Sequence, residues 1–343
     1  MAPEALSIND SRVEHRFLEV SPGIRYHYLL ASPEKRPIAS VLLLHGWPDL
    51  SMGWRFQVPH LVSLGLRVIM PDMLGYGRTS APGDIEAYAL KNVCGHLVQL
   101  IHEVVGEEDA PVILGGHDWG AQLAWRFTMY HPGLVRAVFG LCVPFAPPQR
   151  DLVTMEEAVA RSAVLGYQVQ NARGEAERLA GASRESLRGW LRCMGGARTP
   201  EGLPGFEPGC GIVPGRLLQV GESPLVASDM LEYYVSEFSR NGLRGPMNWY
   251  RTRTLNWEDE LPFATKQGGG FKFSVPAMLV LAGQDPVFPP ESGEGQEEFF
   301  AAGLKKEVIP EASHVVLIHC PEEVNRHIEE FVGGVLGLKR LDT

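Results

Sequence analysis

A chain of 343 residues, 45% apolar and 21% charged, has the composition of an ordinary globular protein and the length for one large α/β sheet carrying a subdomain. Its net charge of −10 at pH 7 excludes the basic face that phosphate backbones demand, so no nucleic-acid partner is expected. Its apolar runs are too short to span a bilayer, so no membrane span is expected either.

Taken in chain order, the first patterned stretch is Ile24-Arg25-Tyr26-His27-Tyr28-Leu29-Leu30, the clearer of two strand patterns between positions 13 and 32. Then comes Ile38-Ala39-Ser40-Val41-Leu42-Leu43-Leu44, a short apolar run of the kind that lies buried on both faces of a parallel sheet. Similar runs follow at Arg67 to Met70, Pro111 to Leu114 and Ala137 to Leu141, separated by amphipathic stretches of helical length such as Leu90 to Val105 and Ala121 to Tyr130. Strand–helix alternation of this kind predicts a mostly parallel, doubly wound α/β sheet. The alternation stops near Pro147, and the pattern to Gly270 is mostly helical, broken by the Gly/Pro-rich loop Gly202 to Gly215. Strand-like runs return at Ala277 to Leu281 and Lys306 to Ile309, and a last amphipathic helix is expected from Pro321 to Leu336. The expected organisation is a core over 1–146 and 271–343, with a helical lid over 147–270 inserted after the sixth strand. Such an insertion covers the carboxyl edge of the sheet, where α/β ligands bind; a dimerisation element is the plainer alternative. The five cysteines (Cys94, Cys142, Cys193, Cys210, Cys320) show no metal or redox spacing and read as thiols in a reducing compartment. With no apolar leader at the N-terminus, a cytoplasmic location is expected.

The strongest local signal is Leu114-Gly115-Gly116-His117-Asp118-Trp119-Gly120. A strand running into a sharp turn flanked by small residues, with a helix immediately after, is the nucleophile elbow. The plainer reading is an aspartate capping a helix, but glycines on both sides of the turn favour the elbow. Its central residue is aspartate, not serine. A carboxylate is suited to displacement at an alkyl carbon, giving an alkyl–enzyme ester. Upstream, the third strand ends in His45-Gly46-Trp47-Pro48, the loop that supplies one oxyanion-hole N–H in this arrangement. Proline has no N–H, so the expected donors are Trp47 and Trp119, with His45 as a turn-stabilising residue.

These motifs, together with Asp72-Met73-Leu74-Gly75-Tyr76-Gly77-Arg78-Thr79-Ser80 between them, resemble the soluble epoxide hydrolases of the α/β-hydrolase superfamily, over nearly the whole chain. The likeness is to short forms without an N-terminal phosphatase domain. It implies an α/β-hydrolase fold, no metal and no organic cofactor, and a small apolar epoxide and water as substrates. It also implies two lid tyrosines that protonate the epoxide oxygen. Leu243-Arg244-Gly245-Pro246-Met247-Asn248-Trp249-Tyr250-Arg251 is similar to the family stretch carrying one of them, at Tyr250. The best match for the other is Tyr167 in Gly166-Tyr167-Gln168-Val169-Gln170; Tyr233 and Tyr234 are rivals read as packing residues.

An elbow needs a base and an orienting acid later in the chain, in the order nucleophile, acid, histidine. Gly283-Gln284-Asp285-Pro286 after one late strand places Asp285, and Pro310-Glu311-Ala312-Ser313-His314 after the next places His314. An acid after the sixth strand, as in some haloalkane dehalogenases, is not available in Val143 to Pro148. His319 and His327 read as packing or capping residues. A haloalkane dehalogenase with the same nucleophile, and a non-catalytic ligand-binding member of the fold, are the competing functions. Oligomeric state is not legible.

Overall fold

Short runs of branched apolar residues bounded by glycine or proline are too brief for stable helices and satisfy their backbone groups by pairing with one another. In the computed structural model of this chain, which describes residues 3–106, 110–265 and 270–338, they do so. Positions 266–269 of the predicted insertion therefore lie outside the described residues. The strands are β1 (Glu14–Ser21), β2 (Ile24–Ala31), β3 (Ala39–Leu44), β4 (Leu66–Pro71), β5 (Val112–His117), β6 (Val135–Leu141), β7 (Phe206–Glu207), β8 (Gly211–Ile212), β9 (Ala277–Ala282) and β10 (Leu304–Ile309).

Eight of them form one sheet in the order β1-β2-β4-β3-β5-β6-β9-β10. β1, β2 and β4 pair antiparallel, and every later pair from β4–β3 to β9–β10 is parallel. This is the mostly parallel sheet the sequence predicts. β3 and β5 are neighbours, yet the chain leaves them in opposite directions along the sheet, to β4 and to β6. A crevice opens outside the carboxyl ends of strands at such a reversal, and ligands bind there. The His45-Gly46-Trp47 loop follows β3 and Asp118 follows β5, so the fold delivers both to that point.

β5 is longer than its apolar run predicts. Gly115 and Gly116 continue the strand, and each is glycine for a steric reason. A Cβ on Gly115 would lie 2.1 Å from the Phe139 ring of β6, and one on Gly116 would lie 2.1 Å from the Gly120 carbonyl oxygen. The two-residue strands β7 and β8 lie within the predicted Gly/Pro-rich loop.

The chain divides into two compact units. One comprises Met1–Met73, Val93–Pro148 and Pro262–Thr343 and holds the large sheet; the other comprises Leu74–Asn92 and Gln149–Leu261 and is mainly helical. Among the described residues no helix is long and apolar enough to cross a membrane.

Within the sheet unit one buried carboxylate ties three segments together. Asp72, just past β4, accepts hydrogen bonds from His27 Nδ1 on β2 at 2.7 Å and from the Ser51 N–H at 3.0 Å, and all three residues are buried. Burial alone would raise the Asp72 pKa, but the hydrogen bond and charge of His27 hold it down at about 2. Its contribution to stability is thus present above the ordinary aspartate value of 3.8 and fades as pH falls toward about 2. Asp72→Ala strands two buried donors, so urea unfolding at neutral pH should show a loss of about 3–5 kcal/mol; a loss below about 1 kcal/mol would show that the tie is not structural.

Candidate active site

The turn at Asp118 is shaped by close backbone approach. Asp118 sits between β5 and the helix Trp119–Tyr130 with φ 53° and ψ −122°, a left-handed-side conformation that is costly for a residue with a side chain. It is held from all sides. Its N–H donates to the Leu141 carbonyl of β6 at 3.3 Å, and its carbonyl accepts from the N–H groups of Ala121 and Gln122. Gly120 packs against the end of β3, where a Cβ would come within 2.1 Å of the Leu44 carbonyl oxygen. Gly46 lets the loop after β3 reach the nucleophile, since a Cβ there would lie 2.4 Å from Asp118 Cβ.

That approach puts the Trp47 N–H 2.7 Å from Asp118 Oδ1, as a donor. Trp119 opens the following helix, and its N–H belongs to the first turn, whose donors face outward from the helix start. On the other carboxylate oxygen, His314 Nε2 lies 3.3 Å from Asp118 Oδ2. His314 Nδ1 is 2.6 Å from Asp285 Oδ2, and Asp285 Oδ1 accepts from the N–H groups of Val287 and Phe288. Asp285 follows β9 and His314 follows β10, and Gly283 permits their loops to meet, because a Cβ there would lie 2.3 Å from the Pro310 carbonyl oxygen. Asp118, Trp47, Asp285 and His314 are thus brought together in the sheet unit.

Four further residues hold this group; sequence reasoning read His45 and His319 as structural and did not find the roles of His117 and Cys142. The His314 carbonyl accepts from His117 Nε2 at 2.8 Å and from the Cys142 thiol at 3.2 Å. Cys142, just past β6, has φ 69°, a second strained residue beside the site. His45 braces the loop after β3, as expected of a turn-stabilising residue: Nδ1 donates to the Gly46 carbonyl and Nε2 accepts from the Met73 N–H. His319 accepts the Ser313 N–H on Nδ1, fixing the residue before His314.

The charges follow from this packing. Burial would raise the pKa of Asp118, but the hydrogen bond and charge of His314, the charge of His117 and the Trp47 N–H together lower it. Asp285 is lowered too: burial opposes, and the charge and hydrogen bond of His314 prevail. Burial would lower His314, but Asp285 first and Asp118 next raise it well above the usual imidazole range. His117 and His45 are pushed down by burial, and burial pushes the Cys142 thiol well up. Cys142, Asp285 and His314 place one metal-ligating atom each within 4.8 Å of one another. Each is already engaged: Asp285 and His314 share a hydrogen bond, and Cys142 donates to a carbonyl.

The predicted tyrosines lie in the helical unit. Tyr167 is the second residue of the helix Gly166–Ala172, and Tyr250 is central in the 3₁₀ turn Trp249–Arg251. Both are buried, and their rings meet edge to face with centroids 6.0 Å apart. Tyr233 and Tyr234 lie on the helix Ser228–Asn241, where their rings contact each other and Tyr234 stacks on Phe238.

Comparison with known proteins adds four findings. The alpha/beta hydrolase fold family matches residues 39–319. The chain is 53% identical to the Neurospora crassa protein named epoxide hydrolase srdG, over 97% of this chain and 99% of that one. It is 33% identical to the rat bifunctional epoxide hydrolase 2 over 95% of this chain, spanning 56% of that protein's length. Among solved structures, a Vigna radiata epoxide hydrolase superposes with a TM-score of 0.78 at 29% identity, covering 94% of this chain and 99% of that one.

The elbow makes a direct steric prediction. Gly120→Ala has no room against the Leu44 and His45 carbonyls, so the Asp118 turn must shift, and turnover should fall by about 10²-fold. Gly95→Ala, in the helix Leu90–Val104 with nothing within 4 Å of the added carbon, should keep full turnover and gain roughly 0.5–1 kcal/mol. Equal turnover in the two variants would show that the close approach is not what sets the nucleophile.

Proposed function

Because the chain belongs to the epoxide hydrolases of the α/β-hydrolase fold, we propose that it converts a small apolar epoxide and water to a vicinal diol through an ester on Asp118. The observation that supports this most is the chain of contacts Asp118–His314–Asp285, with the Trp47 N–H on the other Asp118 oxygen. Three contacts on one buried carboxylate and one imidazole suit a nucleophile that must stay ionised and then be released from its own ester.

In the first step an Asp118 oxygen attacks one epoxide carbon and the carbon–oxygen bond on its far side breaks. The departing oxygen is a strong base and takes a proton from Tyr167 or Tyr250, while the other tyrosine donates a hydrogen bond. The edge-to-face contact of the two rings and the family pattern around Tyr250 support this assignment. Ester formation removes the Asp118 charge that helped keep the imidazole protonated. The proton shed by His314 restores the tyrosine, and neutral His314 becomes a base. In the second step His314, oriented by Asp285, takes a proton from water. The hydroxide attacks the Asp118 carboxyl carbon, and the N–H groups of Trp47 and Trp119 stabilise the oxyanion. Collapse releases the diol, whose alkoxide takes the proton from His314, and the proton left on Asp118 passes to the imidazole.

The lid expected from the sequence would exclude water during ester formation, and an apolar epoxide is the substrate class that suits such a site. The five cysteines, scattered and without metal or redox spacing, suit a reducing, cytoplasmic setting. Haloalkane dehalogenation and ligand binding without turnover are not favoured, since the relatives are named epoxide hydrolases.

His314→Gln should form the ester and hold it, giving an intact-mass increase equal to the epoxide. Absence of any adduct, with a wild-type rate of epoxide loss, would mean that another residue is the base. The two steps should also separate by pH. Ester formation needs ionised Asp118, whose pKa is lowered, so at about pH 4, where an ordinary aspartate is half protonated, it should keep most of its neutral rate. Ester hydrolysis needs neutral His314 and should rise with pH. Rapid-quench assays of each step check both slopes, and a common pH profile for the two steps would contradict the assignment.

A further inference from the structure

The tyrosines stand on short pieces of helix, seven residues and three, and segments of that length do not hold their own geometry. Each is anchored locally. The Tyr167 N–H donates to the Pro208 carbonyl at 2.8 Å, and the Gln170 side-chain amide pairs with both the N–H and the carbonyl of Ile212. On the other segment, Trp249 Nε1 donates to the Leu74 carbonyl at 3.0 Å. These bonds fix each piece to its own surroundings but do not set the spacing between the pieces.

Arg251, next to Tyr250, reaches across. Its Nε donates to the carbonyl of Ala172, the last residue of the Tyr167 helix, at 2.9 Å. One terminal nitrogen donates to Asn248 Oδ1 at 2.6 Å, in the segment leading into its own turn, and the other pairs with Glu177 Oε2 at 3.2 Å on the helix Glu175–Ala180. A helix end leaves its last carbonyls without helical donors and carries partial negative charge, so a guanidinium is the fitting cap. Gly174, between the two helices, lies under the group: a Cβ there would meet an Arg251 terminal nitrogen at 3.1 Å. A planar group using three nitrogens on three segments cannot be replaced by an ammonium on a flexible stem.

We propose that Arg251 is a positioning residue for the two acids, setting the spacing of Tyr167 and Tyr250 and hence the rate of epoxide opening. The inference rests on the reading of those tyrosines as proton donors. It separates Arg251 from a general stabiliser of the helical unit, because only ester formation uses the tyrosines, whereas ester hydrolysis runs on Asp118, His314 and Asp285.

The test is rapid-quench measurement of both steps in Arg251→Lys, alone and combined with Tyr167→Phe. Ester formation should slow by on the order of tenfold or more, with hydrolysis of the ester within about a factor of two of wild type. In the Tyr167→Phe background the same Arg251 substitution should have little further effect, since the spacing it sets no longer matters. Equal slowing of both steps, or the same slowing with and without the Tyr167 hydroxyl, would overturn the proposal. If Arg251→Lys does not fold, Glu177→Gln carries the test: slowing confined to ester formation supports the proposal, and wild-type ester formation overturns it. Wild-type ester formation in the double variant Tyr167→Phe, Tyr250→Phe is a different failure, removing the acid assignment itself and this inference with it.

Discussion

A buried carboxylate stays ionised only if its partners outweigh burial, and the sheet unit meets that condition at Asp118. Burial favours the neutral acid, and the hydrogen bond to His314, that residue's charge and the Trp47 N–H outweigh it. Each donor is available only because a backbone is allowed to come unusually close. Gly46 brings the loop after β3 onto the nucleophile, Gly120 packs the helix start onto β3, and the strained φ of Asp118 turns its side chain between them. Remove the close approach and the donors leave with it.

The same electrostatics give the site two states. With Asp118 ionised, His314 lies between two carboxylates and is held protonated, which is the wrong state for a base. In the proposed mechanism, esterification neutralises one carboxylate and leaves Asp285 alone to orient the ring. On this account the nucleophile's own reaction prepares the base for the next step, with no conformational change required. The surrounding contacts suit a fixed scaffold: the His314 carbonyl is gripped by His117 and Cys142, and Asp285 is bonded on both oxygens.

Much of this was legible in the residues because the signals are local. Apolar runs at Val41 to Leu44 and Met278 to Leu281 are strands whatever their neighbours. The Gly116–Gly120 turn around an aspartate is a steric signature, and the order of Asp118, Asp285 and His314 places them at strand ends. What was not legible depends on side chains far apart in sequence. Nothing near His117 or Cys142 shows that both meet the His314 carbonyl, because that contact exists only once β5, β6 and the loop after β10 are side by side. The glycines of β5 look like a turn until the Phe139 ring beside Gly115 and the Gly120 carbonyl beside Gly116 are in place. Leu74–Asn92 groups with the helical unit through pairings such as Arg78 with Glu237 and Leu90 with Asn256, which no local pattern carries. The Arg251 bridge is hidden for the same reason, even though the residue adjoins a recognisable tyrosine.

The claim on which everything else rests is that Asp118 forms a covalent ester and is attacked at its own carboxyl carbon. A single turnover in heavy-oxygen water, with enzyme in excess over epoxide, tests it directly. The account predicts an unlabelled first diol and one heavy oxygen on the peptide containing Asp118, with label reaching diol only in later turnovers. Heavy oxygen in the first diol and none on Asp118 would mean that water opens the epoxide directly, and the covalent account would be wrong.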